Sequence, residues 1–227
     1  MAEARRQLLL ALGLNPDDPE LLALAVRIAE TAGDDEALSA ALERAAEVER
    51  NSRRKAEMLL RRGRLLAEQD TRMADAVLSL RRALEEGLPE EQAEATWAQI
   101  IELQLERHGP EAAARAAEEA AETYADPGRR AAHQFTAGEL WRKRAGNAEH
   151  ALRCYEQAVD QQPSHRGALD ALESHWSRVG DNGQLARILE LKVEAARKNH
   201  PVQKALLARL GEILTGLGRE EQAREAY

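Results

Sequence analysis

Gly63, Ala76, Leu80 and Ala83 return 75 residues later as Gly138, Ala151, Tyr155 and Ala158, with the internal spacings of 13, 4 and 3 unchanged. Leu65 and Leu140 keep the same register. Such self-similarity constrains a chain strongly, because it demands one supersecondary unit built repeatedly and stacked on its neighbours. A finer ruler runs through it. A turn residue, usually glycine, separates apolar-periodic segments at Gly33, Asp70, Gly109, Gly146, Gly180 and Gly218, in steps of 37, 39, 37, 34 and 38. Each step divides into two segments of about 14–18 residues, a length that suits helices and exceeds ordinary strands. The period is therefore one helical hairpin.

Capping residues make the same division. Asp18-Pro19-Glu20 and Asp126-Pro127 place a side-chain acceptor before a proline at the first helical position, where the missing N–H costs nothing. Gly33-Asp34, Gly146-Asn147 and Gly180-Asp181 read as a left-handed C-terminal glycine followed at once by the next N-cap. At Gly109-Pro110 one helix stops and another can open. These signals predict a partial leading repeat over 1–16 and hairpins over 19–50, 52–86, 89–124, 127–161 and 164–198. A truncated one follows over 201–227. Connectors such as Asn15-Pro16-Asp17 and Gln162-Pro163-Ser164 are short, so a single array over 1–227 is expected.

The residues resemble the tetratricopeptide repeat (TPR). Leu207, Leu210, Gly211, Leu214, Gly218, Ala223 and Tyr227 follow its spacing without a gap, and Ala4, Leu8, Ala11 and Pro16 match its second-helix half. Repeats two and four carry an extra residue, and the repeat near Pro89 has Trp97, Ile100 and Ile101 in place of the first-helix glycine. The repeat at 164–198 carries Leu185 and Lys192 where small alanines are usual. The resemblance implies an all-α fold, a right-handed α-α superhelix (solenoid) of about six TPR-like hairpins. The chain opens and closes inside a repeat, so the native polypeptide is expected to continue beyond Tyr227.

Charge and composition exclude several functions. With 32 Lys and Arg against 40 Asp and Glu the net charge is −8, which repels phosphate backbones and anionic lipid, and aromatic residues at 3% are too few to stack bases. Neither nucleic acid nor membrane is expected as a partner. No apolar run approaches the roughly 20 residues a spanning helix needs, no signal peptide opens the chain, and Cys154 has no internal partner. A soluble, cytoplasmic protein fits these features.

Sites of chemistry are not expected. The six histidines lie at least ten residues apart, so none forms the close helical pair that binds zinc, and exposed or capping roles suit them. Cys154, beside Tyr155 on a second helix, reads as a small packed residue. The basic clusters Arg53-Arg54-Lys55 with Arg61-Arg62, and Arg142-Lys143-Arg144, are interleaved with Glu and Ala and read as solvated helix faces. Trp97, Trp141 and Trp176 read as core. No catalytic residue, cofactor or metal is expected.

First helices line the inner surface in the family, where extended peptides or partner helices dock. Candidate partner-binding residues there are Arg27, Arg64, Glu102, Phe135, Glu139, Arg142 and Arg178, with Glu30, Glu68 and Ser174 on the same face. The expectation is a non-catalytic scaffold or adaptor for a protein or peptide. The alternatives are a regulatory array attached to a catalytic or DNA-binding domain outside this segment, and self-association through the incomplete end repeats.

Overall fold

The computed structural model describes residues 2–226, with the side chains of 6–224. Tyr227 and the side chain of Ala4, both used in the repeat alignment, lie outside the described residues. Among the described residues there are thirteen α-helices, one 3-10 turn and no strand. The helices are α1 (Ala2–Leu14), α2 (Pro19–Ala32), α3 (Asp35–Val48), α4 (Ser52–Ala67), α5 (Met73–Glu85), α6 (Glu90–His108), α7 (Pro110–Thr123), α8 (Pro127–Lys143), α9 (Ala148–Gln161), α10 (Arg166–Val179), α11 (Asn182–Ala195), α12 (His200–Gly216) and α13 (Glu220–Ala226). The chain falls into two compact units, Met1–Arg107 and His108–Tyr227. Within each, packing runs chiefly between helices adjacent in sequence, so the stack is held by neighbour interfaces.

Local chemistry explains the boundaries. The Asp18 carboxylate accepts from the backbone N–H groups of Glu20 and Leu21 at 2.9 and 3.1 Å, opening α2 at Pro19. Asp126 does the same for α8 through the N–H of Arg129 at 2.8 Å. Gly33, Gly146 and Gly180 adopt φ of 63°, 69° and 80°, conformations that favour glycine, and Asp34, Asn147 and Asp181 cap the helices that follow. Asp70 solves the same problem differently, entering a 3-10 turn over Asp70–Arg72.

The 75-residue correspondence becomes a packing identity. A Cβ on Gly63 would lie 2.7 Å from the Leu80 side chain, and one on Gly138 would lie 2.5 Å from the Tyr155 ring. Absence of a side chain is what lets α5 and α9 lie close on α4 and α8. The match extends further than the alanines: Asn51 and Asp126 are both N-caps, Ala56 and Ala131 are both fully buried, and Leu66 is replaced by Trp141 at the same buried position. Where the repeat near Pro89 lacks the glycine, Trp97 and Ile100 are buried in α6, the longest helix at 19 residues.

The odd residue Lys192 also has a physical reason. Its ammonium pairs with Asp170 and Glu173, both at 2.5 Å, and Glu173 additionally takes Arg209. Burial opposes the charge on Lys192, but the hydrogen bonds to the two carboxylates outweigh it and raise its pKa.

Candidate partner-binding site

In the unit spanning 108–227, α8, α9 and α10 enclose a groove of about 530 Å³. Phe135, Glu139 and Arg142 line it from α8, spaced four and three residues apart so that they form one stripe. Alanines 148 and 151 with Leu152 and Tyr155 form the α9 side, and α10 contributes Gly167, Asp170, Ser174 and Arg178. Gly167 is there for the ring of Phe135: a Cβ at that position would lie 2.8 Å from it. The Phe135 ring also packs against Tyr155 at 5.8 Å and His165 at 5.1 Å.

A short polar network stiffens the α8 wall. The Tyr155 hydroxyl donates to Glu139 at 2.6 Å and accepts from Arg142 Nε at 3.1 Å, while Arg142 Nη2 reaches Glu139 at 3.1 Å and Lys143 also pairs with it. Burial pushes the Glu139 carboxyl up, but the hydrogen bonds from Lys143, Tyr155 and Arg142 overcome this and leave its pKa lowered. The Arg142 pKa is raised, first by its bond to Tyr155 and, against some burial, by Glu139. The Tyr155 phenol is pushed up by burial and by donating to Glu139. Tyr155 therefore acts as a neutral strut and Arg142 as an already partnered cation.

His165 caps α10, its Nδ1 accepting from the backbone N–H of Ala168 at 3.2 Å. Acceptance requires that nitrogen to be unprotonated, and burial lowers the imidazole pKa in the same sense. Not all the histidines are exposed or capping. His133 is buried, stacked on Tyr124 at 5.2 Å with the rings 7° apart.

Cys154, the neighbour of Tyr155 on α9, is buried against α7. Its thiol lies 3.6 Å from Glu118, which also accepts the Trp141 indole N–H, and burial together with that carboxylate raises the thiol pKa to about 12. Glu118 stands 75 residues after Glu43, and Glu43 binds Arg62 at 2.7 Å and also Arg82. The repeat thus includes a carboxylate that the alignment of apolar residues did not reveal.

In the unit spanning 1–107, Arg64 and Glu102 come together on a cleft of about 450 Å³ between α4 and α6, with Glu68 and Glu106 beside them. Arg27 is exposed on α2 and lines neither cavity; Glu30, one turn later, pairs with Arg61. The basic cluster on α4 is largely committed to ion pairs. Lys55 binds Glu86 at 2.5 Å, Arg53 lies 3.4 Å from Glu57, and Arg62, expected on a solvated face, has a side chain only 12% exposed. Glu43 and Ser79 on the flanking helices draw it inward.

Of the groove residues, Tyr155 could have been anticipated from its register with Gly138. Gly167 and Asp170, and His165 packed behind Phe135, could not, since their role depends on how α10 meets α8. Among the described residues no group of three or more His, Cys, Asp or Glu is placed to hold a metal ion, and no helix is long and apolar enough to cross a membrane.

No protein-family model matches the chain, and no curated protein matches it. Among solved structures it is similar to MamA, at 16% identity over 81% of this chain and 94% of that one, with a TM-score of 0.43. It is similar to YrrB, described as a TPR protein with an unusual peptide-binding site, at 14% identity over 86% and 95%, with a TM-score of 0.39. A third is the C-terminal part of a TPR repeat-containing protein from Cytophaga hutchinsonii, at 14% identity over 99% and 87%, with a TM-score of 0.44. The glycine-to-bulky contacts of Gly63 with Leu80 and of Gly138 with Tyr155, 75 residues apart, fit the architecture as a whole: this chain is an all-α tandem of helical hairpins.

Proposed function

We propose that this chain is a non-catalytic scaffold that receives an extended peptide or a partner helix in the groove lined by Phe135, Glu139, Arg142 and Arg178. The observation that carries the reading is the groove itself: an apolar floor of alanines, Leu152 and a half-buried phenylalanine, walled by helices and rimmed with charge. Ligand sites commonly combine such a floor with a few convergent polar groups. The Arg64 and Glu102 cleft is a further contact region, and Arg27 a peripheral one. A single cysteine with no disulfide partner suits a reducing compartment such as the cytoplasm. Affinity capture from native lysate with the wild-type chain, Phe135→Ala and Arg142→Glu is the test. Loss of the same captured proteins from both variants is expected, and equal recovery by all three would refute the reading.

Self-association is a second reading with its own support. Leu9 and Leu10 on α1 are 62% and 60% exposed, beside an apolar hollow of about 360 Å³ between α1, α2 and α3. Light scattering over a range of concentrations, with and without Leu9→Glu and Leu10→Glu, decides it: a monomer throughout removes the idea.

A further inference from the structure

Resting on the binding reading of the α8, α9 and α10 groove, we infer that its occupant is an extended acidic peptide. One aliphatic side chain lodges against Phe135, and a side-chain carboxylate about three residues away pairs with Arg178. The charge of the chain is unevenly divided. Residues 1–107 carry 15 Lys and Arg against 22 Asp and Glu, whereas residues 108–227 carry 17 against 18. The acidic character therefore lies almost wholly in the first unit, and the unit that holds the groove, at −1, sets little general repulsion against an acidic ligand.

The charged lining residues balance formally, Glu139 and Asp170 against Arg142 and Arg178, but both carboxylates are already paired. Glu139 is answered by Arg142, Lys143 and the Tyr155 hydroxyl. Asp170 is answered by Lys192 at 2.5 Å and by Arg166 at 3.8 Å. Arg178 is exposed on the lining and has no ion pair or hydrogen bond with any described side chain. It is the one lining charge among the described residues that a ligand can neutralise without breaking an existing pair. An exposed ion pair alone binds weakly. The apolar contact with Phe135, Ala151 and Ala171 must therefore supply most of the affinity, while the carboxylate selects among sequences.

The spacing follows from helix geometry. Gly167, against which the Phe135 ring rests, and Arg178 are eleven residues apart on α10, roughly 16 Å along the axis. Helical side chains lean toward the N-terminus, so the guanidinium reaches back by about one turn and leaves roughly 10 Å between the two subsites. That distance equals about three residues of extended chain.

The experiment uses fluorescence anisotropy with the full chain and fluorescein-labelled Gly/Ser decapeptides carrying one Leu and one Glu, separated by one to four residues. Matched peptides carry Gln or Lys in place of Glu. The Glu peptides with two or three intervening residues should bind best, and binding should weaken at least tenfold for Arg178→Glu. The Lys peptide should recover that loss on Arg178→Glu but not on the wild type. Equal binding of the Glu, Gln and Lys peptides, abolished by an Ala171→Trp plug, would overturn the carboxylate pairing while leaving the groove a peptide site. Absence of saturable binding by every peptide would overturn the inference, whereas the scaffold reading is decided separately by lysate capture.

Discussion

Replacing Gly138 by alanine isolates the close approach on which both units depend. The new methyl would lie 2.5, 2.8 and 3.2 Å from three atoms of the Tyr155 ring, against an optimum of about 3.5–4.0 Å for carbon pairs. The ring must retreat by about 1 Å. It cannot do so freely, because its hydroxyl is tied to Glu139 at 2.6 Å and Arg142 at 3.1 Å and its face meets Phe135. Overpacking of this kind costs about 1–3 kcal/mol. Alanine recovers about 0.5–1 kcal/mol of helix propensity, so the net destabilisation is about 1 kcal/mol. Gly216→Ala is the control, since a Cβ there meets nothing within 4 Å and only the favourable part remains. Urea unfolding followed by tryptophan fluorescence reads the contrast of about 1–3 kcal/mol between the two variants. At a slope of about 2 kcal/mol per molar, this separates the midpoints by about 1 M. Tyr155→Val, which removes the ring atoms in collision, should relieve most of the penalty in the Gly138→Ala background. A Gly138→Ala protein as stable as Gly216→Ala, with no coupling to Tyr155, would show that close packing is not the reason for glycine.

Two further outcomes follow from the protonation chemistry. His165 and Glu139 both have lowered pKa values in the fold, so the unfolded chain binds more protons between the folded and ordinary values, and stability rises with pH there. Their contributions are complete above 6.5 and 4.5 respectively and fade as pH falls through the folded values. His165→Asn, which keeps a cap acceptor without a titrating ring, should flatten the first decline in urea midpoint below pH 6.5; an unchanged profile would exclude His165 as its source. Cys154, with its thiol raised from 9.0 to about 12, should react with a disulfide reagent at pH 8 at least about tenfold more slowly in the native chain than in urea, the thiolate fraction falling by about 10³ and the greater basicity of the thiolate offsetting part of that. Comparable rates would mean the thiol is neither buried nor held by Glu118.

Helices, turns and the hairpin period were legible in the residues themselves, because a cap, a left-handed glycine or a 3.6-residue stripe acts over three or four positions. Gly63 and Gly138 could be read for the same reason one level up, since a hairpin partner lies only 17 residues away. The electrostatics of the groove belong to the tertiary structure. Arg142 and Arg178 look alike as letters, yet packing sets one against Tyr155 and Glu139 and leaves the other exposed on the groove lining. Arg62 turned inward and Lys192 found two carboxylates for the same cause: Coulomb energy depends on a few ångströms between side chains tens of residues apart, and only helix-on-helix packing sets those distances.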